Sequence, residues 1–152
     1  MTHAGMVHAL KEVQRVLRPN GILIDLRPLE QPWPLEIASA AEVNVAGWLN
    51  AVPSAVADDQ AAFHAIAEVQ SQGWFVNERE EAFSYFYYWD TPTEVKEFMD
   101  EEWAGLDKMD TQLYNKIRSV WAAANADARL RMRVSMHIAR WRKQADRFVG
   151  LK

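Results

Sequence analysis

The sequence predicts an α/β fold in which helices flank one β-sheet, and three patterns carry this prediction. Apolar residues recur at helical spacing from Met6 to Leu17. A short run that is apolar on both faces follows, which is typical of a strand covered on both sides. Residues 127–143 alternate between apolar and polar side chains, which is the period of a strand.

Length and composition predict a single domain that spans residues 1–152. Apolar residues make up 49% of the chain and charged residues 25%, a usual balance for a globular protein. The lack of cysteine excludes disulfides and thiolate metal sites and favours a cytoplasmic location. A net charge of −4 argues against nucleic acid as the main partner. No apolar run is long enough to predict a membrane span.

The first predicted helix ends at a sharp stop, and a strand follows at once. Pro19 cannot continue the helix, and Gly21 or Asn20 is expected to take the left-handed position that closes it. The strand is Ile22–Leu26. The apolar stripe of the helix consists of Met6, Leu10, Val13 and Leu17.

The middle of the chain predicts a hairpin and a second helix. Leu35–Ser39 and Glu42–Asn50 alternate well enough to be its two strands. Asp58 or Asp59 is then expected to cap a helix that ends at Gly73.

Trp74–Asp90 is a long predicted strand, and two helices separate it from the last one. Thr91 and Glu94 form a capping box around Pro92 at the start of the first of these helices. The second begins near Asp110. One face of the long strand carries Phe75, Phe83, Tyr85, Tyr87 and Trp89.

The final strand, Asp127–Lys143, has one apolar and one polar face. The apolar face carries Leu130, Met132, Val134, Met136 and Ile138, and the other face carries Arg129, Arg131, Arg133, Ser135 and His137. We expect Glu78 and Glu80 of the long strand to face the arginines at 129, 131 and 133. A solvated ladder of ion pairs and a grip on an anionic ligand both fit this arrangement.

The segment Arg15-Val16-Leu17-Arg18-Pro19-Asn20-Gly21 resembles a signature of class I S-adenosylmethionine-dependent methyltransferases. In that family a helix ending R-V-L-x-P-G-G leads into the fifth strand; here Asn20 replaces the first glycine. The resemblance implies a truncated Rossmann-like sheet with strands 5, 7 and 6 and an added hairpin, flanked by helices and α+β in the surviving part. Ile22–Leu26 would be strand 5, Trp74–Asp90 strand 6, and Leu130–Lys143 strand 7, antiparallel between them.

The half of that family's fold that binds the cofactor has no counterpart in the sequence. The family uses a glycine-rich turn after its first strand, and no G-x-G occurs in this chain. We therefore expect no cofactor for the chain alone, and S-adenosylmethionine only if another chain supplies the missing half. No catalytic residue is assigned, and the histidines have no spacing that predicts a metal site.

Six residues are candidates for a substrate-side site. Asp25 and Arg27 end the first strand at the sheet edge where α/β proteins place ligands, although an ion pair explains them equally well. Trp33 lies among prolines and is either a lid or a plug. Tyr85, Tyr87 and Trp89 are either an aromatic pocket for a planar or cationic substrate or a packed strand.

Two kinds of function follow. The chain is either the substrate-side part of a methyltransferase completed by another chain, or a non-enzymatic binding or assembly module. Because the strand after Gly21 would lack its family neighbour, its edge needs a cover, and we expect a homodimer or a partner chain. An alternative architecture is an unrelated α+β fold with one curved antiparallel sheet and a ligand cavity lined by tryptophans.

Overall fold

The computed structural model describes residues 2–29, 31–49, 53–103 and 109–144, and over these residues the fold is mixed α+β. It contains an open antiparallel sheet of five strands and four helices. No helix in these ranges combines the length and the apolar composition needed to cross a lipid bilayer. In chain order the elements are α1 (His3–Val16), β1 (Ile22–Pro28), β2 (Trp33–Ala38), β3 (Val43–Leu49), α2 (Pro53–Ser71), β4 (Phe75–Trp89), α3 (Pro92–Glu101), α4 (Thr111–Ala122) and β5 (Arg129–Lys143).

Strand β5 is the central strand of the sheet. The order is β1-β5-β2-β3, and β4 also pairs with β5. Strand β2 runs antiparallel to the start of β5, with Leu35 opposite Met132 and Ala38 opposite Arg129. The last strand therefore has β1 and β4 as neighbours, the strands that sequence reasoning placed on either side of it.

The described residues fall into two compact units. Unit 1 comprises those of Met1–Arg27, Ala57–Ala82 and His137–Lys152, and unit 2 comprises those of Pro28–Val56 and Phe83–Met136. Each unit has its own buried apolar cluster. Strands β4 and β5 contribute residues to both.

Unit 1 is built around the helix stop that the sequence predicts. Asn20 takes the left-handed conformation with φ of 61°. Gly21 follows in a place where an added Cβ would lie 2.8 Å from the Arg18 carbonyl oxygen, so only glycine fits there without a shift. The Lys143 ammonium, on a residue only 7% exposed, donates to the Leu17 carbonyl at 2.9 Å and so closes the C-terminal end of α1.

Of the predicted apolar stripe of α1, Leu10, Val13 and Leu17 pack against the core with Val7 in place of Met6, whereas α2 begins earlier than predicted. Helix α2 starts at Pro53, so Asp58 and Asp59 lie inside it and the predicted cap is wrong. Proline is favourable in the first helical turn because its missing N–H would have no intrahelical partner there. The core of unit 1 contains Val69, Phe75, Ala139 and Trp141, with Val7, Leu10, Val13, Leu17, Leu23, Ile66 and Trp74 packed around them.

Unit 2 contains the predicted hairpin and both predicted helix starts. In the hairpin, Ile37 lies opposite Asn44, and the register shifts between Leu35 and Glu36. The predicted end of the second hairpin strand, Asn50, lies outside the described residues. Thr91 Oγ1 accepts from the Glu94 N–H at 3.2 Å, and Asp110 Oδ1 accepts from the Leu113 N–H at 2.7 Å. The buried cluster contains Leu35, Ile37, Ala46, Leu49, Trp89, Val95, Met99, Met109, Ile117, Leu130, Met132 and Val134.

The two units use different residues of β5 for burial. In unit 2 the even-numbered Leu130, Met132 and Val134 are buried, as predicted. In unit 1 the buried residues are the odd-numbered Ala139, Trp141 and Lys143. Treating the whole strand as having one buried face was therefore wrong, because its two halves belong to different cores.

Candidate functional site

Four of the six candidate residues lie in one aromatic cluster of unit 2. Tyr87 is at its centre, with ring centroids 5.1 Å from Tyr85, 6.0 Å from Trp89 and 5.5 Å from Trp103. Trp33 joins through Trp103, whose ring centroid is 5.4 Å away. We define the aromatic cluster as Trp33, Tyr85, Tyr87, Trp89, Phe98 and Trp103.

The cluster runs from the core of unit 2 to the surface. Trp89 is buried, Tyr87 is half-buried and Tyr85 is 48% exposed. Tyr85 and Trp103 both stand nearly perpendicular to the Tyr87 ring, at 83° and 82°. Edge-to-face contacts of this kind add to the stabilisation that burial alone provides. The exposed Tyr85 therefore packs against Tyr87, which in turn packs against the buried Trp89.

Burial raises the pKa of the Tyr87 phenol, and the neighbouring Tyr85 raises it further. The cause is that an ionised phenolate would lose hydration beside apolar rings. Tyr87 is therefore a neutral ring throughout the physiological range. The Trp33 indole nitrogen is also buried, and it has no hydrogen-bond partner among the described residues. An unpaired buried N–H is a donor available to a ligand or an ordered water.

Acidic residues adjoin the cluster in sequence at the end of α3. Helix α3 has no basic residue in its last turn and ends at Glu101, next to Glu102 and Trp103. The C-terminal end of a helix carries partial negative charge. Two carboxylates and the helix end therefore lie close to the cluster in sequence.

The ring faces of the cluster are not used by the cations that the structure describes. Among the described residues, the cation–π contacts involve the rings of Phe63, Phe86, Tyr88 and Tyr114. Of these, the two rings on β4, Phe86 and Tyr88, lie under the guanidinium groups of Arg131 and Arg129. Strand β4 thus has arginine-covered rings at its even-numbered positions and cluster rings at its odd-numbered ones.

The other two candidates, Asp25 and Arg27, lie in unit 1 and pair with each other. Arg27 Nη2 is 3.3 Å from Asp25 Oδ2, and the two side chains are only 13% and 16% exposed. The Arg27 guanidinium sits 3.8 Å from the centre of the Phe63 ring on α2. Asp25 Oδ2 and two Arg27 nitrogens, Nε and Nη1, have no hydrogen-bond partner among the described residues. The ion-pair alternative therefore describes what the structure contains at these two positions.

Arg129, Arg131 and Arg133 of β5 do not pair with Glu78 and Glu80, so that expectation is wrong. Arg131 Nε and Arg133 Nε donate to the two carboxylate oxygens of Glu36, at 2.7 and 3.0 Å. Arg129 pairs instead with Asp90, at 2.8 Å. Burial opposes the charge on Arg131, but hydrogen bonds to Glu36 and Tyr88 outweigh it and raise the pKa of this guanidinium.

Glu78 and Glu80 pair with the far end of β5. Glu78 contacts Arg142 and Arg140, and a hydrogen bond from Arg142 lowers the pKa of the Glu78 carboxyl. Glu80 lies 3.5 Å from His137. The reason is geometric, since the start of one antiparallel strand lies beside the end of its partner.

Sequence reasoning missed Glu36 as the partner of two arginines, and it did not include Phe98 and Trp103 among the candidate residues. Glu36 is 3% exposed and lies between the apolar Leu35 and Ile37 on β2. A carboxylate in that setting needs a cationic partner, and this signal was available in the sequence. The part of the chain that the structure describes contains no group of three or more His, Cys, Asp or Glu residues able to hold a metal ion.

No family model matches the chain, and no curated protein or solved structure is significantly similar to it.

Proposed function

We propose that this chain is a methyltransferase-like binding module that does not catalyse alone and that receives a small organic cation at the aromatic cluster. The observation that carries the binding site is the set of contacts around Tyr87, which joins four of the six candidate residues. Electron-rich ring faces attract alkylated ammonium groups, and each such contact contributes about 0.5–2 kcal/mol.

Charge around the cluster supports a cation over a neutral ring. The exposed side of Tyr85 provides access, and the acidic C-terminal end of α3 adjoins Trp103. By contrast, the rings of Phe86 and Tyr88 are already covered by arginines. A ligand cation therefore meets no competing cation from the described residues at the rings of the aromatic cluster, whereas it meets arginines at Phe86 and Tyr88.

The methyltransferase lineage is supported by the neighbours of β5. It pairs with β1 and β4, which is the relation of strand 7 to strands 5 and 6 in that family. The missing glycine-rich turn argues against independent catalysis. Calorimetry of the chain with S-adenosylmethionine and its demethylated product is expected to show no binding tighter than about 100 μM, or about −5.5 kcal/mol. Tighter binding would contradict the non-catalytic assignment and favour an enzyme.

The cation site is tested with a matched pair of probes and a matched pair of variants. The probes are choline and its neutral isostere 3,3-dimethylbutan-1-ol, followed by tryptophan fluorescence. We expect choline to bind at least about tenfold more tightly than the alcohol, a difference of about 1.4 kcal/mol. Tyr87→Leu should remove this preference, whereas Tyr88→Leu, on the arginine-covered side, should retain it.

Two results would overturn the cation site. One is equal binding, or no binding, of the two probes. The other is loss of the preference in the Tyr88→Leu variant and its retention in Tyr87→Leu. Circular dichroism of both variants separates a lost site from a lost fold.

A further inference from the structure

Strand β1 lies at an edge of the sheet. The strand order ends at β1, and among the described strands β1 pairs only with β5. Edge strands expose a row of backbone donors and acceptors that another strand can use. The register of β1 with β5 determines which residues of β1 direct their backbone groups outward.

Two backbone hydrogen bonds fix that register. The Lys143 N–H donates to the Gly21 carbonyl, and the Leu29 N–H donates to the Ser135 carbonyl, both at 2.8 Å. From Gly21 to Leu29 the chain goes forward along β1 by as many residues as it goes back along β5 from Lys143 to Ser135. The two pairs therefore belong to one register. Hydrogen-bonded pairs recur at every second residue of an antiparallel ladder. Leu23, Asp25 and Arg27 therefore direct their backbone groups at β5.

The alternate residues of β1 direct their backbone groups at the open edge. Ile22, Ile24 and Leu26 have side chains that are 40%, 53% and 55% exposed. They share one face because they are two residues apart. Ile24 also lines a depression of about 210 Å³ together with Ile138, Arg79, Glu80, Glu81 and Arg140. The open edge thus combines free backbone groups with a stripe of three aliphatic side chains.

Strand β1 carries no exposed charge over its described length, Ile22–Pro28, that would repel a second copy of the chain. Its charged residues, Asp25 and Arg27, pair with each other at 3.3 Å and are largely buried. An edge of this kind lacks the outward-facing charges by which many proteins keep edge strands from pairing.

The other edge strands carry features that discourage pairing with another strand. Strand β3 pairs with β2 through a register shift, and a shift of this kind bends and twists an edge strand. The first half of β4 carries the exposed charges Glu78–Glu81, and rings in its second half contact arginines and α3. Strand β1 is therefore the described edge that is best suited to pair with another strand.

We infer that β1 is a homodimer interface, in which the β1 strands of two copies pair antiparallel about a two-fold axis. Pro28 has no N–H to donate, so the register that pairs all three outward residues with an N–H (Ile22, Ile24 and Leu26) places Ile24 opposite Ile24 of the second copy. Ile22 then lies opposite Leu26, and about six backbone hydrogen bonds form across the axis. The two aliphatic stripes join into one row, and two sheets become a single continuous sheet.

Such an interface is at the small end of the range for specific protein–protein contacts, which begins at about 1,200 Å². We therefore expect a dissociation constant in the range of about 1–100 μM. The interface uses no residue of the aromatic cluster, so its success or failure is independent of a ligand there.

Sedimentation velocity of the full chain from about 1 to 500 μM, a range that brackets this dissociation constant, tests the interface. The native chain should shift from monomer to dimer within that range. Ile24→Lys should remain a monomer because two ammonium groups would meet at the axis. Ile24→Pro should do the same through the backbone, since it removes an N–H that points away from β5 and leaves the β1–β5 hydrogen bonds intact.

Two control variants on the other edge strands test whether the dimer contact lies on β1. Val45→Lys, on edge strand β3, puts the same charge at a residue of similar exposure, 44%, and should leave the dimer intact. Ser84→Lys does the same for β4. A native chain that remains monomeric at every concentration would overturn the inference. Dissociation by Val45→Lys or Ser84→Lys, with the dimer retained in Ile24→Lys, would overturn it as well.

Discussion

Strands β1 and β3 are both edge strands of seven residues, and they differ in how their edges are protected. Strand β3 has an irregular register with β2, and its Gly47 packs closely under Leu113 of α4. Strand β1 pairs with β5 in one register and exposes three aliphatic side chains. Both edges are apolar, but the register shift of β3 lies within the strand, whereas the residue of β1 that cannot donate outward, Pro28, is its last.

This difference shows why exposed apolar residues alone do not identify an interface. Val43 and Val45 on β3 are about as exposed as the aliphatic residues on β1. The regular ladder of β1 adds a row of aligned backbone groups, which a bulged edge presents poorly. A strand that is both apolar and regular is therefore the better template for a second copy.

The two units also hold their buried carboxylates differently, and mutation of these groups should give the largest effects. Glu36→Gln in unit 2 should lower the free energy of unfolding by about 2–4 kcal/mol, because it leaves Arg131 and Arg133 without their shared carboxylate. Asp25→Asn in unit 1 should cost about 1 kcal/mol, since Asp25 makes one 3.3 Å contact. Urea unfolding measures both.

The control for this pair is Glu42→Gln, at an exposed position in the hairpin turn, which should change the unfolding free energy by less than about 0.5 kcal/mol. Equal losses for Glu36→Gln and Asp25→Asn would show that the two units do not differ in this respect.

A smaller difference is expected for glycines next to or within the two edge strands. Gly21→Ala should cost about 1–3 kcal/mol, because the new Cβ would lie 2.8 Å from the Arg18 carbonyl oxygen, a backbone atom. Gly47→Ala should cost less, about 1 kcal/mol, because its Cβ would meet the end of the Leu113 side chain, which has other rotamers. Thermal unfolding of the two variants ranks them, and the reverse order would contradict this view of the β1 turn.

The smallest predicted effect is a pH dependence that belongs to unit 2. Because the pKa of Tyr87 is raised by burial and by Tyr85, its contribution to stability is complete below the unfolded tyrosine pKa of about 10. That contribution is lost as pH rises through the higher folded value. Ultraviolet absorbance of the phenolate should show one late-titrating phenol, which disappears in Tyr87→Phe. A titration that is unchanged by this substitution would rule out Tyr87 as the late group.

Local sequence signals predicted much of the fold. The stop at Asn20 and Gly21 and the caps at Thr91 and Asp110 are set by residues only a few positions apart, and all are present. The alternating hairpin was also predicted. The start of helix α2 was predicted wrongly, because Asp58 or Asp59 was expected to cap it, whereas Pro53 is a favourable residue for the first helical turn.

Long-range signals were harder to obtain from the sequence. Alternation in β5 gave its two faces, but not the change in which face is buried between Val134 and Ala139. The alternation also could not identify Glu36 as the hydrogen-bond partner of Arg131, because Glu36 lies 95 residues away in sequence. For the candidate site, Tyr85, Tyr87 and Trp89 were found as one alternating face. The contact of Trp33 with Trp103 depends on tertiary packing.

The most direct test of the β1 interface is a single introduced cysteine, because the chain has none of its own. At the two-fold axis, Ile24→Cys would face its own copy at a Cα separation of about 5.5 Å, which suits a disulfide. In Ile22→Cys the two sulfurs would be separated by about four residues, or about 13 Å. Under mild oxidation we expect a covalent dimer from Ile24→Cys and little from Ile22→Cys. Equal cross-linking of both variants, or none in Ile24→Cys, would contradict the account.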